Sequence, residues 1–231
     1  MKFAAIIVAA GRGTRFGQSK QLVEVAGRPL VAWSIGTFGD MPELKTLVIA
    51  TEAEHMAAMA SLAATYAPRL ASRVVAGGDT RQESVRKALA ALDGDCDAAL
   101  IHDGARPLVL AADVRAGMAA VKPGGGALLA SPVVDTIKVV HDGHAVARTL
   151  DRRELWSAQT PQFGMLSDLR RAHEAAEREN VEATDDAMLL ERAGCEVVVI
   201  RASSENFKVT VRGDRDLAET ILRERMSPAR R

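Results

Sequence analysis

The chain has few of the residues that would cross-link it or hold a cysteine-bound metal. Its two cysteines, Cys96 and Cys195, lie far apart and in no Cys-x-x-Cys pair, which excludes a disulfide framework and a cysteine metal site and predicts two buried thiols. Net charge is missing as well. The 30 basic residues balance 30 acidic ones, so no global field would hold nucleic acid or an anionic membrane surface, and any anion site must be local. Aromatic residues make up only 3%; with no basic stripe beside them, Trp33 and Trp156 are expected to pack rather than stack on bases. No stretch reaches membrane-spanning length, and the N-terminal apolar run is too short to be a signal core. A soluble, cytoplasmic protein is expected.

Two common phosphate loops are absent too. After Gly11 and Gly13 the dinucleotide fingerprint would need glycine where Phe16 stands, and the Gly-Lys-Ser/Thr of the mononucleotide P-loop does not occur. What stands there instead is an apolar run, residues 3–10, that breaks into Gly11-Arg12-Gly13-Thr14-Arg15-Phe16-Gly17 and then Ser19-Lys20-Gln21. Such a run reads as a buried parallel strand feeding a loop whose backbone N–H groups can approach an anion. Arg12, Arg15 and Lys20 add cations that a purely structural turn would not need.

At 231 residues and 48% hydrophobic the chain can bury a full core, and a single domain over 1–231 is expected. Strands are predicted at 3–9, 47–50, 74–76 and 98–102, alternating with helices near 30–38, 52–66, 81–92 and 112–121, the pattern of parallel strands with helical crossovers. Thr80-Arg81-Gln82-Glu83 is a capping-box pattern that starts the third helix just after Gly77-Gly78-Asp79. Residues 127–130 resume a strand directly after a glycine run. Further on, 136–140 and 145–150 flank His141-Asp142-Gly143-His144, whose Asp-Gly pair signals a hairpin; these histidines lack a third ligand, and no metal-ligating cluster is expected. Helices at 167–179 and 185–193, strands at 197–201 and 207–211, and a last helix at 214–226 complete the reading.

In an open parallel sheet ligands bind beyond the carboxyl ends of the strands. Three polar clusters fall at those ends: the basic glycine loop, Gly77-Gly78-Asp79 with Ser84, and His102-Asp103-Gly104-Ala105-Arg106-Pro107. Taken with Arg81, which extends the second cluster to Gly77-Gly78-Asp79-x-Arg81, and with Asp135-Thr136, Thr160-Pro161-Gln162, Thr184-Asp185-Asp186 and Lys208-Val209-Thr210, this ordered set resembles the 2-C-methyl-D-erythritol 4-phosphate cytidylyltransferases of the non-mevalonate isoprenoid pathway across nearly the whole chain. Val8 stands where some members have proline, and Gly104 where alanine is common.

The resemblance implies a Rossmann-like α/β fold of the nucleotide-diphospho-sugar transferase type: a mostly parallel sheet flanked by helices, with a protruding β-hairpin arm at about 135–153. It implies that Ala9, Ala10, Gly11, Gly13, Gly78, Asp79 and Ser84 hold CTP, that Arg15 and Lys20 grip its triphosphate, and that Asp103, Gly104, Arg106, Thr136, Arg152, Thr160, Thr184 and Lys208 surround the polyol phosphate. The phosphate of the polyol would attack the α-phosphorus of CTP in line, expelling pyrophosphate, with no general base required. Arg15, Lys20 and a Mg²⁺ held mainly by the triphosphate would stabilise the charge, while Arg152 and Lys208 position the attacking phosphate. Dimerisation through the arm is implied, placing Thr136 and Arg152 in the neighbouring subunit's site. The competing readings are a ribitol 5-phosphate cytidylyltransferase and a non-catalytic nucleotide-binding regulator. Taken alone, Asp103 could satisfy backbone donors in a turn, and Thr184-Asp185-Asp186 could serve as a helix cap.

Overall fold

A computed structural model describes residues 1–11, 20–93 and 95–227; Arg15 and Gly13 therefore lie outside the described residues. The chain runs β1 (Phe3–Ala9), β2 (Glu24–Val25), β3 (Arg28–Pro29), α1 (Leu30–Gly39), β4 (Leu44–Thr51), α2 (Met56–Tyr66), β5 (Ala71–Ala76), α3 (Arg81–Ala90) and β6 (Ala98–Asp103). It continues through α4 (Ala111–Ala120), β7 (Gly125–Pro132), β8 (Lys138–His141), β9 (Ala145–Thr149), β10 (Trp156–Met165), α5 (Leu166–Arg178), α6 (Asp186–Arg192), β11 (Glu196–Arg201) and α7 (Arg212–Met226). Seven strands form one sheet in the order β11-β7-β10-β6-β1-β4-β5. Only β10 runs antiparallel to its neighbours, β6 and β7.

Alternation along β1 shows how the sheet is covered. Phe3, Ala5 and Ile7 join Val31, Ile35 and Phe38 of α1, Met59 of α2 and Val114 of α4 on one face. Ala4 and Ile6 point the other way, to Val85 and Leu89 of α3, Leu166 and Leu169 of α5 and Leu190 of α6. A strand buried on both faces must be apolar at every position, which is why residues 3–9 read as an unbroken run. At Gly117 of α4, a Cβ would lie 2.2 Å from the Phe163 ring, so only glycine lets α4 settle on β10 without displacing that ring.

Two strand assignments change. Residues 207–211 were expected as a strand, yet they form no ladder; the segment is held by the Val209 amide donating to the Ala105 carbonyl at 2.8 Å. Its alternation is real, since Val209 is buried and Val211 exposed, but it follows from lying over Ala105 and Leu108 beside the sheet. Conversely, β10 was not expected. Its central Gln159-Thr160-Pro161-Gln162 lacks an apolar signal, and a proline is foreign to the middle of a regular ladder; the pairing with β7 breaks its register between Ala158 and Gln162.

The hairpin forms as a separate two-stranded sheet, β8 and β9, with Asp142 at φ 52° and Gly143 at φ 81° in the turn. Asp-Gly suits such a turn because both residues tolerate positive φ. Both cysteines are free and buried. Trp33 packs, its Nε1 donating to the Val25 carbonyl at 2.9 Å. Trp156 departs from expectation: it opens β10 opposite Pro132 at the root of the arm and is 41% exposed. Among the described residues no helix is long and apolar enough to cross a membrane.

Candidate active site

The carboxyl ends of β1, β4, β5 and β6 meet along one edge of the sheet. At β1 and β5 they enclose a cleft of about 250 Å³ lined by Ala10, Thr51, Glu52, Gly77, Gly78, Asp79, Glu83 and Lys87, among others. Close packing requires Gly77: a Cβ there would lie 2.4 Å from the Ala10 Cβ and 2.9 Å from Ser84 Oγ. The Thr80 side chain caps α3 by accepting from the Glu83 amide at 3.0 Å, and Glu83 Oε2 accepts from the Asp79 amide at 2.8 Å. Sequence reading missed Lys87, whose Nζ donates to the Gly77 carbonyl at 3.0 Å and brings a cation to the cleft.

Ser84 lies behind this loop, 1% exposed. Its hydroxyl donates to the Thr80 carbonyl at 2.9 Å and accepts from the Gly78 amide at 3.0 Å. Ala9, the last residue of β1, is buried, and Gly11 is exposed just beyond it. Lys20 opens a short 3-10 turn, Lys20–Leu22. Its charge reaches Asp214, where burial would raise the carboxyl but hydrogen bonds from Thr210 and Val211, together with Lys20, keep it below the ordinary range.

A second cluster centres on Asp103, the last residue of β6. Arg81 Nε reaches one carboxylate oxygen at 3.0 Å, Lys208 Nζ the other at 3.0 Å, and Arg106 Nε stands 3.8 Å away. Burial raises the Asp103 carboxyl, yet Arg81 and Lys208 outweigh it and hold it far below the usual carboxylate range. Arg106 is fixed in turn by Nη1 donating to the Asn206 carbonyl at 2.8 Å. Asn206 Nδ2 donates to Thr160 O and to Gln159 Oε1, each at 2.9 Å. The segment that was expected as a strand thus acts as a strap, carrying Lys208 over the cluster.

The antiparallel course of β10 brings Thr160 to the same edge. Thr160 Oγ1 accepts from the Asp103 amide at 2.9 Å and lies 3.1 Å from His102 Nδ1, while His102 Nε2 lies 3.1 Å from the Arg106 carbonyl. Because the Arg106 carbonyl can only accept, the ring hydrogen belongs on Nε2, and Nδ1 accepts from the threonine hydroxyl. Burial of the ring lowers the His102 pKa to about 4, so the imidazole is neutral. Gly104 ties β6 to β1 through its amide to the Val8 carbonyl at 2.9 Å; a Cβ there would meet Gln21, Ile7 and Val31 at 3.0 to 3.1 Å.

Of the remaining predicted residues, Thr184 is exposed just before α6, whose N-cap is Asp185, accepting from the Met188 amide at 2.9 Å. Thr184 is thus not the cap. Its loop is held by Gln82, which donates to the Val181 carbonyl at 3.0 Å and accepts from the Ala183 amide at 2.9 Å. Thr136 and Arg152 lie exposed at the base of the arm, where Arg152 Nη1 donates to the Val134 carbonyl at 2.6 Å. Within one chain, none of their hydrogen bonds or ion pairs among the described residues reaches Asp103.

A cleft lined by closely packed backbone and small residues at the carboxyl edge of an α/β sheet, beside a cluster of cations around one carboxylate, defines a nucleotide-handling α/β protein. The sequence profile of the 2-C-methyl-D-erythritol 4-phosphate cytidylyltransferases matches residues 3–224, and the chain belongs to that family. Similar proteins carrying this name include one from Halalkalibacterium halodurans, 40% identical over 227 residues covering 97% of this chain and 99% of that protein. Another, from Synechococcus sp. (strain WH7803), is 41% identical over 223 residues covering 95% and 99%. Among solved structures, the cytidylyltransferase of Thermus thermophilus superposes with a TM-score of 0.78 at 32% identity, covering 96% of this chain and 100% of that one. The 4-diphosphocytidyl-2C-methyl-D-erythritol synthase of Anaerococcus prevotii gives a TM-score of 0.86 at 26% identity, covering 96% of each.

Proposed function

We infer that this chain transfers CMP from CTP to 2-C-methyl-D-erythritol 4-phosphate, giving 4-diphosphocytidyl-2-C-methyl-D-erythritol and pyrophosphate, a step of isoprenoid precursor synthesis. The observation that carries the reading is the juxtaposition, in a member of this family, of the Gly77–Asp79 cleft with a buried carboxylate crowned by three cations. CTP occupies the cleft. Its base meets backbone around Ala10, Gly78 and Asp79, and Ser84, its hydroxyl already bonded within the loop, holds the shape of the Gly78 turn.

A phosphate monoester is largely ionised at neutral pH, so the site need not remove a proton; it brings two anions into line and stabilises the charge on the α-phosphorus. Lys208 and Arg106 face the polyol phosphate, and Asp103 accepts hydrogen bonds from its hydroxyls. Lys20 faces the triphosphate, and Arg15 is assigned to the same role on the family resemblance. Both Asp103 oxygens already accept from cations, and the described residues that could hold a metal by themselves are Glu52, Glu54 and His55. The cleft therefore suits a Mg²⁺ carried by the triphosphate oxygens, where the ion, when bound, neutralises phosphate charge.

The arm exposes Val134, Val140, Val146 and Trp156. We place these against a second chain in a two-fold dimer, so that Thr136 and Arg152 complete the partner's polyol phosphate site. The protein works in the cytoplasm. Phosphorus NMR of CTP with the methylerythritol phosphate tests the activity: paired diphosphate resonances of a new diester appear as free pyrophosphate accumulates. Release of pyrophosphate without that diester would remove the reading.

A further inference from the structure

Beneath the Asp103 cluster runs a line of polar groups, half-buried at Arg81 and fully buried beyond it, that the transfer chemistry does not use. Arg81, the first residue of α3, spans two carboxylates: Nε on Asp103 Oδ1 at 3.0 Å and Nη2 on Asp186 Oδ2 at 2.8 Å. Asp186, the first residue of α6, is 1% exposed and accepts from His173 Nε2 of α5 at 3.0 Å through its other oxygen. Its amide donates to Gln162 Oε1 at 2.8 Å. Each carboxylate oxygen of Asp186 therefore has a partner, and the group cannot rotate.

A guanidinium is a rigid planar fork, so fixing Nη2 also aims Nε. The N-terminus of a helix is a poor place for a cation, and Arg81 stays there because two anions hold it. An ion pair serving only the fold would end at Asp186. This one continues to a carboxylate whose other oxygen meets Lys208. The His173 ring, also 1% exposed, has no partner for Nδ1 among the described residues, so its polar tie is to Asp186.

We propose that Asp186 and His173 are positioning residues for the polyol phosphate half of the site, acting through Arg81 to set the orientation of Asp103 and, through it, of Lys208. The role rests on the functional reading above. Neither residue touches substrate. Outer partners that orient metal ligands change affinity or activity by about 10- to 100-fold when lost, and a loss of that size is expected here, confined to one substrate.

The test is steady-state kinetics with CTP and 2-C-methyl-D-erythritol 4-phosphate, with thermal melts, on wild type, Asp186→Asn, His173→Leu, His173→Gln, Arg81→Lys and the Asp186→Asn/Arg81→Lys double variant. Asp186→Asn and His173→Leu should raise the KM for the polyol phosphate at least about tenfold while leaving the KM for CTP within about twofold. His173→Gln keeps an N–H donor and should lie close to wild type. Arg81→Lys, whose single ammonium cannot serve two carboxylates, should share the defect, and the double variant should be no worse than Arg81→Lys. Lower melting temperatures with an unchanged polyol KM would overturn the role. Should the two buried-site variants fail to fold, Arg81→Lys decides by the same criterion. Absence of wild-type turnover would remove the functional reading and this role with it, whereas normal wild-type turnover with unshifted variants removes the positioning role alone.

Discussion

Lys208 Nζ stands 3.0 Å from the Asp103 carboxylate, with the lysine side chain 42% exposed and the aspartate 10%. One partner belongs to the sheet and the other to the strap laid over it, so the ammonium can turn from Asp103 towards an incoming phosphate without a backbone rearrangement.

Lys208→Ala should therefore act on one substrate. Losing a charge-assisted hydrogen bond is worth about 1.5–3 kcal/mol, so kcat/KM for the polyol phosphate should fall roughly tenfold to a hundredfold, with the KM for CTP nearly unchanged. Initial rates at varied concentrations of each substrate check this; an equal effect on both KM values would count against the assignment.

Gly77→Ala should do the opposite. The added methyl would lie 2.4 Å from the Ala10 Cβ, pushing the two walls of the nucleotide cleft apart. The KM for CTP should rise by about tenfold or more, while a one-methyl overpacking costs about 1–3 kcal/mol of stability. Isothermal titration with CTP and a urea melt read the two effects separately.

Stability should depend on pH through His102. Its pKa is lowered from 6.5 to about 4, mainly by burial, against the raising effect of Asp103. The unfolded chain binds this proton more readily, so the contribution is fully present above about pH 6.5 and is lost as pH falls towards 4, amounting to about 3 kcal/mol at most. Asp103 and Asp186, both held below their ordinary values, lose their contributions only at still lower pH. Urea unfolding at pH 7 and pH 5 should show the drop in wild type and a smaller one in His102→Gln.

If the arm completes the partner's site, an Arg152→Ala chain mixed with a Lys208→Ala chain, assayed with polyol phosphate well below KM so that each variant alone is strongly impaired, should recover activity beyond the sum of the two. Each mixed dimer then has one site with both residues intact. No recovery, with subunit exchange verified by mass spectrometry, would return Arg152 to its own chain's site or remove it from catalysis.

Strands buried on both faces, the Thr80 cap and the Asp142-Gly143 hairpin were legible because each is written in neighbouring residues. The strand β10 was not, since its polar centre serves the site rather than the core: Thr160, Gln159 and Gln162 are buried because they bond to His102, Asn206 and α6. Residues 207–211 misled for the converse reason, as an extended strap alternates like a strand without pairing. Asp103 and Lys208 stood out in motifs, and so, singly, did Arg81 and Asp186; the link that joins these two and His173 runs between helices distant in sequence, and no local pattern marks it. Thr136 and Arg152 are expected in a role that one chain alone cannot display.

The central claim is substrate identity, tested most directly by kcat/KM for pyrophosphate release from CTP with 2-C-methyl-D-erythritol 4-phosphate and with ribitol 5-phosphate. A site built to hydrogen-bond one polyol rejects another by leaving buried polar groups unpaired, and a preference for the methylerythritol phosphate of about a hundredfold or more is expected; equal or greater efficiency with the ribitol phosphate would contradict the account.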